Sequence, residues 1–393
     1  MQVESDMGSP KSGDLMNADI AFVHDWLVTW GGSELVLESA LEVLGPAPVY
    51  ALMYDRDVFS GSLIARQEIR TSFLQSFPGS RRNHRRYLPL MPLAVEQFDL
   101  RGSKIVISSS HAVAHGALIQ PDQLHICYKH TPMRYAWHMY HDYLDAAGLR
   151  GGIRGALTQA LLHYIRLWDE AAARRVDHFI ANSQWIADCI WRAYRREARV
   201  IYPPVDVDAY EPMSPREDYY ITVCRLVPYK RVDLIVEAFS ELGLPIKIVG
   251  KGPEAVRLKR MAGPNIQFLG WQPQAELREL LGRAKAFVYA AREDFGITCV
   301  EAQAAGCPVI ALGRGGARES VLNGRTGILL KHQSVQSLRN AVEDFERGDI
   351  SFSLADIRRN AERFGKDRFQ RELHAFVEEA AERFSVERGP GLL

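Results

Sequence analysis

The chain has 393 residues, of which 47% are hydrophobic and 24% charged, so it is long enough for two or three globular domains with sizeable cores. Lysine plus arginine and aspartate plus glutamate number 48 each, and this balance argues against a general electrostatic attraction to nucleic acid. No apolar run approaches the roughly 20 residues that span a bilayer, so any membrane contact is expected to be peripheral.

Cysteine usage and the N-terminal segment narrow the class further. The five cysteines are scattered and form neither a CxxC pair nor a cluster with zinc spacing, which favours reduced thiols and a cytoplasmic protein. The first 18 residues are polar and lack the apolar core of a signal peptide. We predict a disordered tail over residues 1–18.

Short apolar runs alternate with helical patterns along the whole chain. In the first half, strands are predicted at 20–24, 50–53, 105–108, 126–128, 178–181 and 200–202. In the second half, they are predicted at 219–224, 246–249, 266–269, 286–289 and 309–312. Helices are predicted at 34–44, 153–175, 232–242, 276–281, 298–305 and 364–384. The alternation predicts an α/β protein with parallel sheets built from βαβ units.

The number of strands favours two doubly wound domains rather than one. Residues 202–212 contain three prolines and three acidic residues, which is typical of a linker. We predict an N-terminal domain over 19–204, a C-terminal domain over 205–364, and a C-terminal helix at about 365–393 that crosses back to the first domain. Ligands bind such folds at the carboxyl ends of the strands, so a cleft between the facing domains is the expected site.

A glycine pair follows the first predicted strand. Gly31 and Gly32 precede a helix, where backbone N–H groups and the helix dipole favour a phosphate. The run is not GxGxxG, so a simple dinucleotide fingerprint is absent. A plain tight turn explains the pair equally well.

A strongly basic segment comes next. Four arginines within six residues, Arg81, Arg82, Arg85 and Arg86, precede the proline-broken apolar run 88–93. A solvated loop would explain them. A surface that contacts anionic lipid or a diphosphate-bearing acceptor would also explain them.

Polar groups then follow two successive strands. His111 comes after 105–108, and Lys129, His130 and Arg134 come after 126–128. Imidazole is a versatile partner for sugar hydroxyls, although His111 could be incidental beside a serine that caps a helix. Clustered polar groups at strand ends favour a binding edge.

The second half repeats this pattern. Arg225 follows a strand and Lys230 precedes a helix, so the two cations could clamp a diphosphate. The turns that begin at Gly250 and Gly270 could bring backbone close to a nucleotide. Two solvated cations and two ordinary turns are the alternative.

The segment EDFGITCVEAQAAG carries two glutamates. Thr298 and Glu301 match a capping box, which would make Glu301 a helix-capping residue. A capping box explains neither Glu293 nor Gly296. Carboxylates also suit the vicinal hydroxyls of ribose and hexose, and a helix that begins here offers free N–H groups.

Together these motifs resemble retaining glycosyltransferases of family 4, which have the GT-B fold. The resemblance rests on Gly31-Gly32, SSSH ending at His111, Arg225 with Lys230, Glu293-x7-Glu301, and Gly315-Gly316 with Glu319, and it spans residues 18–385. The stretches HDWLVTWGGSE and KHTPMRYAW are similar to those of bacterial mannosyltransferases that build surface polysaccharides and O-antigen.

The resemblance implies a role for each matching residue. His111, Arg225, Lys230 and Glu293 would form the catalytic set, in which His111 contacts the transferred sugar and Arg225 and Lys230 stabilise the leaving diphosphate. The remaining donor contacts would come from Gly31, Gly32, Phe295, Gly296, Ile297, Thr298 and Glu301, the last of which would hold the ribose. Lys129, His130 and Arg134 would face the acceptor. The family is metal-independent.

We therefore predict transfer of a hexose, mannose from GDP-mannose, to a lipid-linked saccharide in surface polysaccharide synthesis. No cofactor or metal is expected, and the arginine cluster would touch the cytoplasmic face of the membrane. Two alternatives stay open: a UDP-glucose or UDP-N-acetylglucosamine donor, and a non-catalytic nucleotide-sugar-binding subunit of an assembly complex.

Overall fold

The computed structural model describes residues 19–348 and 350–388, and the predicted tail over residues 1–18 lies outside them. Within these residues the chain forms two sheets of parallel strands with intervening helices. The α/β class predicted from the alternating pattern is thereby confirmed.

The first sheet contains the strands of the first half of the chain. They are β1 (Ile20–His24), β2 (Val49–Ala51), β3 (Ile69–Thr71), β4 (Ile105–Ser110), β5 (Leu124–Lys129), β6 (His178–Ala181) and β7 (Ala198–Val200). Their order is β3-β2-β1-β4-β5-β6-β7, and β1 to β5 pair in parallel. The order reverses between β1 and β4, as in doubly wound folds, so the carboxyl ends of these two strands are a position for ligands.

The second sheet has six strands with the same kind of order. They are β8 (Tyr220–Val223), β9 (Ile246–Val249), β10 (Ile266–Gly270), β11 (Ala286–Tyr289), β12 (Val309–Leu312) and β13 (Gly327–Leu330). The order is β10-β9-β8-β11-β12-β13, and all pairs are parallel. Here the order reverses between β8 and β11, whose carboxyl ends therefore form the ligand-binding edge.

Helices connect the strands. The longer ones are α1 (Gly32–Leu44), α5 (Gly152–Ala173), α6 (Gln184–Tyr194), α7 (Val232–Leu242), α9 (Gln274–Arg283), α10 (Ile297–Ala304), α12 (Val335–Glu346), α13 (Leu354–Glu362) and α14 (Lys366–Arg388). The shorter ones are α2 (Ser80–Asn83), α3 (Met91–Glu96), α4 (Tyr140–Ala146), α8 (Ala255–Met261) and α11 (Ala317–Ser320).

Side chains alternate across the second sheet. Ile221 and Phe287 pack in one buried cluster, whereas Tyr220 and Val288, one position away in each strand, pack in another. A strand buried on both faces has an almost continuous apolar sequence, which is why these short runs were recognisable.

The described chain divides into two compact units. Unit 1 comprises residues 19–129, 164–180 and 371–388, and unit 2 comprises residues 130–163 and 181–370 without residue 349. This division differs from the predicted boundary at residue 204, because 130–163 and 181–204 pack with the second unit.

The predicted linker is part of the core of unit 2. Val205, Val207 and Tyr210 are buried, and the Val205 N–H donates to the Phe364 carbonyl at 3.0 Å. The prediction weighed the prolines and acidic residues of this segment and overlooked the apolar residues between them.

Candidate active site

The carboxyl ends of β8 and β11 bring two opposite charges together in unit 2. The Lys230 ammonium lies 2.5 Å from the Glu293 carboxylate and donates to the Tyr289 hydroxyl at 2.7 Å. Lys230 ends a short 3₁₀ turn after β8, and Glu293 lies in the loop after β11. Lys230 and Glu293, which sequence analysis placed after two different strands, are therefore in contact.

Both members of this pair are held in their charged forms. Burial raises the pKa of the Glu293 carboxyl, but the charges of Lys230 and Arg134 outweigh burial and hold that pKa below its usual value. Burial lowers the pKa of Lys230, but the Glu293 charge outweighs it and the pKa lies above the usual value. The two charges stabilise each other in a site with little water.

Tyr229, which no sequence motif marks, contacts three cations. Its hydroxyl accepts a hydrogen bond from Arg225 at 2.8 Å. Its ring centroid lies 5.4 Å from both the Lys230 ammonium and the Arg134 guanidinium carbon, within cation–π range. Arg225 is exposed, so the guanidinium faces solvent and can meet an anion.

Arg134 binds the residue that follows Glu293. Its Nε donates to the Asp294 carboxylate at 2.9 Å, and its Nη2 contacts the same oxygen. Burial raises the pKa of Asp294, and the Arg134 charge opposes that rise. The acceptor contact predicted for Arg134 stays a prediction, whereas its observed partner is a carboxylate of the Glu293 loop.

The helix after Glu293 begins differently from the prediction. Its first residue is Ile297, and its N-cap is Gly296, which has a φ of 86° and no side chain to cap the first turn. The capping-box interpretation is therefore wrong, since Thr298 lies inside the helix and Glu301 is the fifth helical residue. Glycine is required because few other residues adopt this left-handed conformation. No side chain caps the first turn, and a helix start of this kind can bind an anion.

A second glycine loop supports the first. The Gly316 N–H donates to the Glu293 carbonyl at 2.9 Å, and Gly315, with a φ of 73°, forms a parallel bridge with Glu293. A Cβ on Gly316 would overlap the Phe295 backbone. Glu319 accepts two backbone N–H groups at the start of α6. The loop after β12 thus fixes the loop after β11.

The glycines after β9 do a similar task beneath Arg225. A Cβ on Gly250 would overlap the Cys224 carbonyl oxygen, and one on Gly252 would overlap the Leu226 carbonyl oxygen. The protein's own packing therefore explains Gly250 and Gly252, and the approach of the turns at Gly250 and Gly270 to a nucleotide stays a prediction.

Glu301 lies near Tyr210 and Arg278, which sequence analysis missed. Burial raises the pKa of the Glu301 carboxyl, while a hydrogen bond from the Tyr210 hydroxyl and the charge of Arg278 oppose that rise. The Arg278 guanidinium carbon lies 5.4 Å from the Tyr210 ring centroid. The contact with ribose predicted for Glu301 stays a prediction.

In unit 1 a buried aspartate holds the predicted catalytic histidine. The Asp25 carboxylate, fully buried directly after β1, accepts four backbone N–H groups from residues 111–114 at 2.6–2.9 Å. One of its oxygens lies 3.1 Å from the His111 Nδ1. Burial raises the pKa of Asp25, but His111, Lys129 and the backbone N–H groups outweigh burial, so that pKa lies below its usual value.

The glycine pair at the start of α1 lies near this aspartate in sequence. Gly31 is the N-cap and provides no side-chain hydrogen bond to the first turn. Glu34, one turn into the helix, is buried and lies 3.2 Å from the His24 Nε2 at the end of β1. Gly31 and Gly32 are half-buried, so their N–H groups stand at a partly open helix end.

Lys129 does not fit its predicted acceptor role. Its side chain is fully buried, and the ammonium lies 3.1 Å from the Ser110 hydroxyl and 2.9 Å from the His115 Nδ1. Every residue of β5 is buried, so the side chain at its end points into the unit. His130 is buried too, and its carbonyl accepts the Asn182 amide at 3.0 Å. Burial keeps both side chains from a bound saccharide in this conformation.

The four arginines of the basic segment are exposed. The segment folds into α2 and a 3₁₀ helix, His84–Leu90, that contains Pro89. The His84 ring lies 4.7 Å from Trp26, whose ring lies 4.5 Å from His111. The basic segment is therefore joined to the histidine by one aromatic side chain.

The described residues contain neither a metal-binding cluster nor a helix that could span a membrane. Between residues 19 and 388, Asp349 aside, no group of three or more His, Cys, Asp or Glu side chains could hold a metal ion. Over the same residues, no helix is long and apolar enough to cross a membrane. The predicted metal independence and membrane contact both stay predictions.

Two family models match consecutive parts of the chain. The model described as Glycosyltransferase Family 4 matches residues 49–209, and the one described as Glycosyl transferases group 1 matches residues 211–365. The second match covers β8 to β13 with their loops, which carry the Lys230–Glu293 pair.

Relatives and solved structures are consistent with these matches. A GDP-mannose-dependent alpha-(1-6)-phosphatidylinositol monomannoside mannosyltransferase of Mycolicibacterium smegmatis is 34% identical over 189 residues, 40% of this chain and 47% of the relative. A D-inositol 3-phosphate glycosyltransferase of Rhodococcus jostii is 29% identical over 245 residues, 50% of this chain and 53% of the relative. The chain thus spans about half the length of these curated relatives.

A solved structure extends the likeness to nearly the whole fold. Anabaena HepE in complex with UDP-glucose has a TM-score of 0.68 and 18% identity, and the match covers 92% of this chain and 99% of that one. With two parallel-sheet units, two adjoining family matches and this neighbour, the chain belongs to the glycosyltransferases of family 4 with the GT-B fold.

Proposed function

We propose that this protein transfers a hexose, mannose from GDP-mannose, to a saccharide acceptor with retention of the anomeric configuration. The observation that carries the proposal is the buried Lys230–Glu293 pair beside Arg225, at the uncapped start of α10. A diphosphate needs clustered cations and free N–H groups, and a sugar needs a fixed carboxylate, and this edge of the sheet offers both. The mannose donor is supported by the Mycolicibacterium relative, whose name includes GDP-mannose dependence.

The chemistry follows from the charges. The bond between the sugar anomeric carbon and the diphosphate oxygen breaks, and its electron pair goes to that oxygen. Arg225, Lys230 and the start of α10 stabilise the developing negative charge. In the family the acceptor hydroxyl attacks from the same face and passes its proton to the leaving phosphate, so Glu293 positions sugar hydroxyls and is not a nucleophile.

Lys230 changes partner in this scheme. Without a donor it neutralises Glu293 at 2.5 Å. A diphosphate competes for the same ammonium, and Glu293 is then free to accept hydrogen bonds from the sugar. Lys230 and Glu293 both lie in a largely buried site, where their electrostatic interactions with each other and with the donor are stronger than they would be in water.

The acceptor we propose is a lipid-linked saccharide in surface polysaccharide synthesis. The exposed arginines of the basic segment supply cations for a lipid diphosphate or an anionic membrane, and His84 links that segment through Trp26 to His111. Neutralising Arg81, Arg82, Arg85 and Arg86 together should reduce binding to anionic liposomes. Unchanged liposome binding would contradict the membrane part alone.

Donor choice is tested by binding and turnover. GDP and GDP-mannose should raise the thermal midpoint of the protein, and GDP-mannose should be consumed in the presence of a lipid-linked saccharide. Stabilisation by UDP and UDP-glucose but not by GDP would favour the UDP-sugar alternative, consistent with the UDP-glucose bound to HepE. Binding of a nucleotide sugar without hydrolysis or transfer would favour a non-catalytic subunit.

A further inference from the structure

Asp25 contributes to the site although none of its atoms reaches the surface. We propose that Asp25 is a positioning residue that fixes the turn at 111–114 and holds the imidazole proton of His111 on Nδ1, so that Nε2 accepts a hydrogen bond from a sugar hydroxyl. The catalytic part of this inference rests on the proposed function, in which His111 contacts the transferred sugar.

The backbone contacts carry the first half of the argument. Oδ2 of Asp25 accepts the N–H groups of His111 and Ala112 at 2.6 and 2.9 Å, and Oδ1 accepts those of Val113 and Ala114 at 2.6 and 2.7 Å. Both carboxylate oxygens are thus used, across a sequence separation of more than 80 residues. Four short bonds to consecutive N–H groups determine the path of this turn, and with it the origin of the His111 side chain.

The imidazole contact carries the second half. The Nδ1 of His111 lies 3.1 Å from Oδ2 of Asp25, and the side chain is 25% exposed. A lone pair on Nδ1 would be repelled by a carboxylate oxygen at this distance, whereas a proton there is attracted. This electrostatic preference favours the neutral tautomer that carries its proton on Nδ1 and leaves the lone pair on Nε2.

Other titratable groups face the same ring. His24 is the last residue of β1, and Glu34 lies in the first turn of α1. His84 belongs to the basic segment, and Lys129 lies at the end of β5 near Asp25. Burial and the charge of Arg85 lower the pKa of His84 to about 4, so that ring is neutral at pH 7. The Asp25 carboxylate is at ion-pair distance from the Nδ1 of His111.

A second buried pair in unit 1 provides a matched control. The Asp169 carboxylate lies 3.3 Å from the His115 Nε2, and both side chains are completely buried. This pair has the same residue types as Asp25 and His111, but its imidazole cannot touch a substrate.

The wild-type protein can be tested by NMR without any assay of activity. In protein labelled with ¹⁵N-histidine, two-bond correlations should show His111 as the Nδ1–H tautomer near neutral pH, with the signal assigned by its loss in H111Q. An Nε2–H tautomer for His111 would overturn the proposal. This result does not depend on which donor or acceptor the protein uses, and it is available even when a variant of Asp25 fails to fold.

Kinetics then test the catalytic consequence. In D25N one carboxylate oxygen is replaced by an NH₂ group, which would face two of the four backbone N–H donors. We expect kcat to fall by about 10- to 100-fold with little change in the donor KM, by analogy with the loss seen when the partner that orients a metal-bound histidine is removed. D169N should lower the thermal midpoint but leave kcat within about twofold, because the His115 imidazole is completely buried and cannot reach a substrate.

A double-mutant comparison separates positioning from general damage. If Asp25 acts through His111, D25N should slow H111Q much less than it slows the wild type. An equal factor in both backgrounds would overturn the proposal. Normal transfer by H111Q would instead show that the proposed role of His111 in transfer is wrong. The tautomer measurement does not depend on that role.

Discussion

The two units each bury a carboxylate where a parallel strand ends, and they neutralise it in different ways. Asp25, after β1, is held by four backbone N–H groups that cannot move without moving the chain. Glu293, after β11, is held by the side chains of Lys230 and Arg134, which reach it from elsewhere in unit 2.

This difference separates a scaffold from a reacting group. Backbone donors are fixed dipoles, so the charge of Asp25 has the same partners with or without a ligand. The flexible ammonium of Lys230 can leave Glu293 for a phosphate, because a lysine is a mobile point charge. The comparison predicts that changes at Asp25 act first on stability and order, and that changes at Lys230 and Glu293 act first on turnover.

The largest effect is expected from removing Lys230. K230A should lower the transfer rate by about 10²- to 10³-fold at subsaturating donor, the loss seen when one charge-stabilising donor is removed from a transition state. The variant should also lose most of its thermal stabilisation by the nucleoside diphosphate. The measurement is initial-rate kinetics with the best donor from the binding screen.

K230R serves as the matched control, since it keeps the positive charge but replaces the compact ammonium with a planar fork. Its rate should lie between those of K230A and the wild type. A rate near that of the wild type in K230A would remove Lys230 from the mechanism.

The next effect concerns stability. D25A leaves four buried backbone N–H groups without their acceptor, and each such group costs about 1–3 kcal/mol unless water reaches it. Ala112, Val113 and Ala114 are fully buried and only His111 is partly exposed, so we expect a net loss of at least the lower end of the sum, about 4 kcal/mol. Hydrogen exchange over residues 111–114 should rise sharply, and the denaturation midpoint of unit 1 should fall.

E293A is the control for this effect. Asp25 and its four N–H donors are intact in that variant, so hydrogen exchange at residues 111–114 should stay at the wild-type rate. Equal exchange rates at residues 111–114 in D25A and the wild type would contradict the role of the four hydrogen bonds.

A smaller effect is expected from acid. The ordinary pKa is 3.8 for Asp25 and 4.5 for Glu293, and in the folded protein the pKa of each carboxyl is held below that value. The unfolded chain therefore binds more protons just below those values, and the stability that the two groups contribute is present above about pH 4.5 and is lost as the pH falls through the folded pKa values. D25N and E293Q should each reduce the acid-dependent loss in a series of denaturation midpoints. A loss that is identical in the wild type and both variants would show that neither carboxyl is the source.

The contrast between the two sites also explains what could be predicted from sequence. Strands such as β1, β9, β11 and β12 are buried apolar runs, so their bounds were predicted to the residue. The strand β3, with its exposed Arg70 and Thr71, lies at a sheet edge and was missed. Residues that follow a strand, such as Lys230 and Glu293, could be placed because parallel strands end on one edge.

Partners from distant parts of the chain could not be found in this way. Asp25 reaches residues 86 to 89 positions away, and Arg134 reaches Asp294 at a separation of 160. Nothing local marks such pairs, because their meeting depends on strand order and loop path. The capping box failed for a related reason: it matched residue types, whereas the left-handed conformation of Gly296 set the start of the helix.

The smallest effect is expected from removing metal ions. The charge of Asp25 is stabilised by four N–H groups and that of Glu293 by Lys230, so a divalent cation at either carboxylate would have to displace groups of the protein. EDTA should therefore change the transfer rate by less than about twofold, because Arg225 and Lys230 supply the charge that a metal supplies elsewhere. Magnesium or manganese added after EDTA should give no gain. A large gain would mean that the diphosphate needs a cation besides these two side chains.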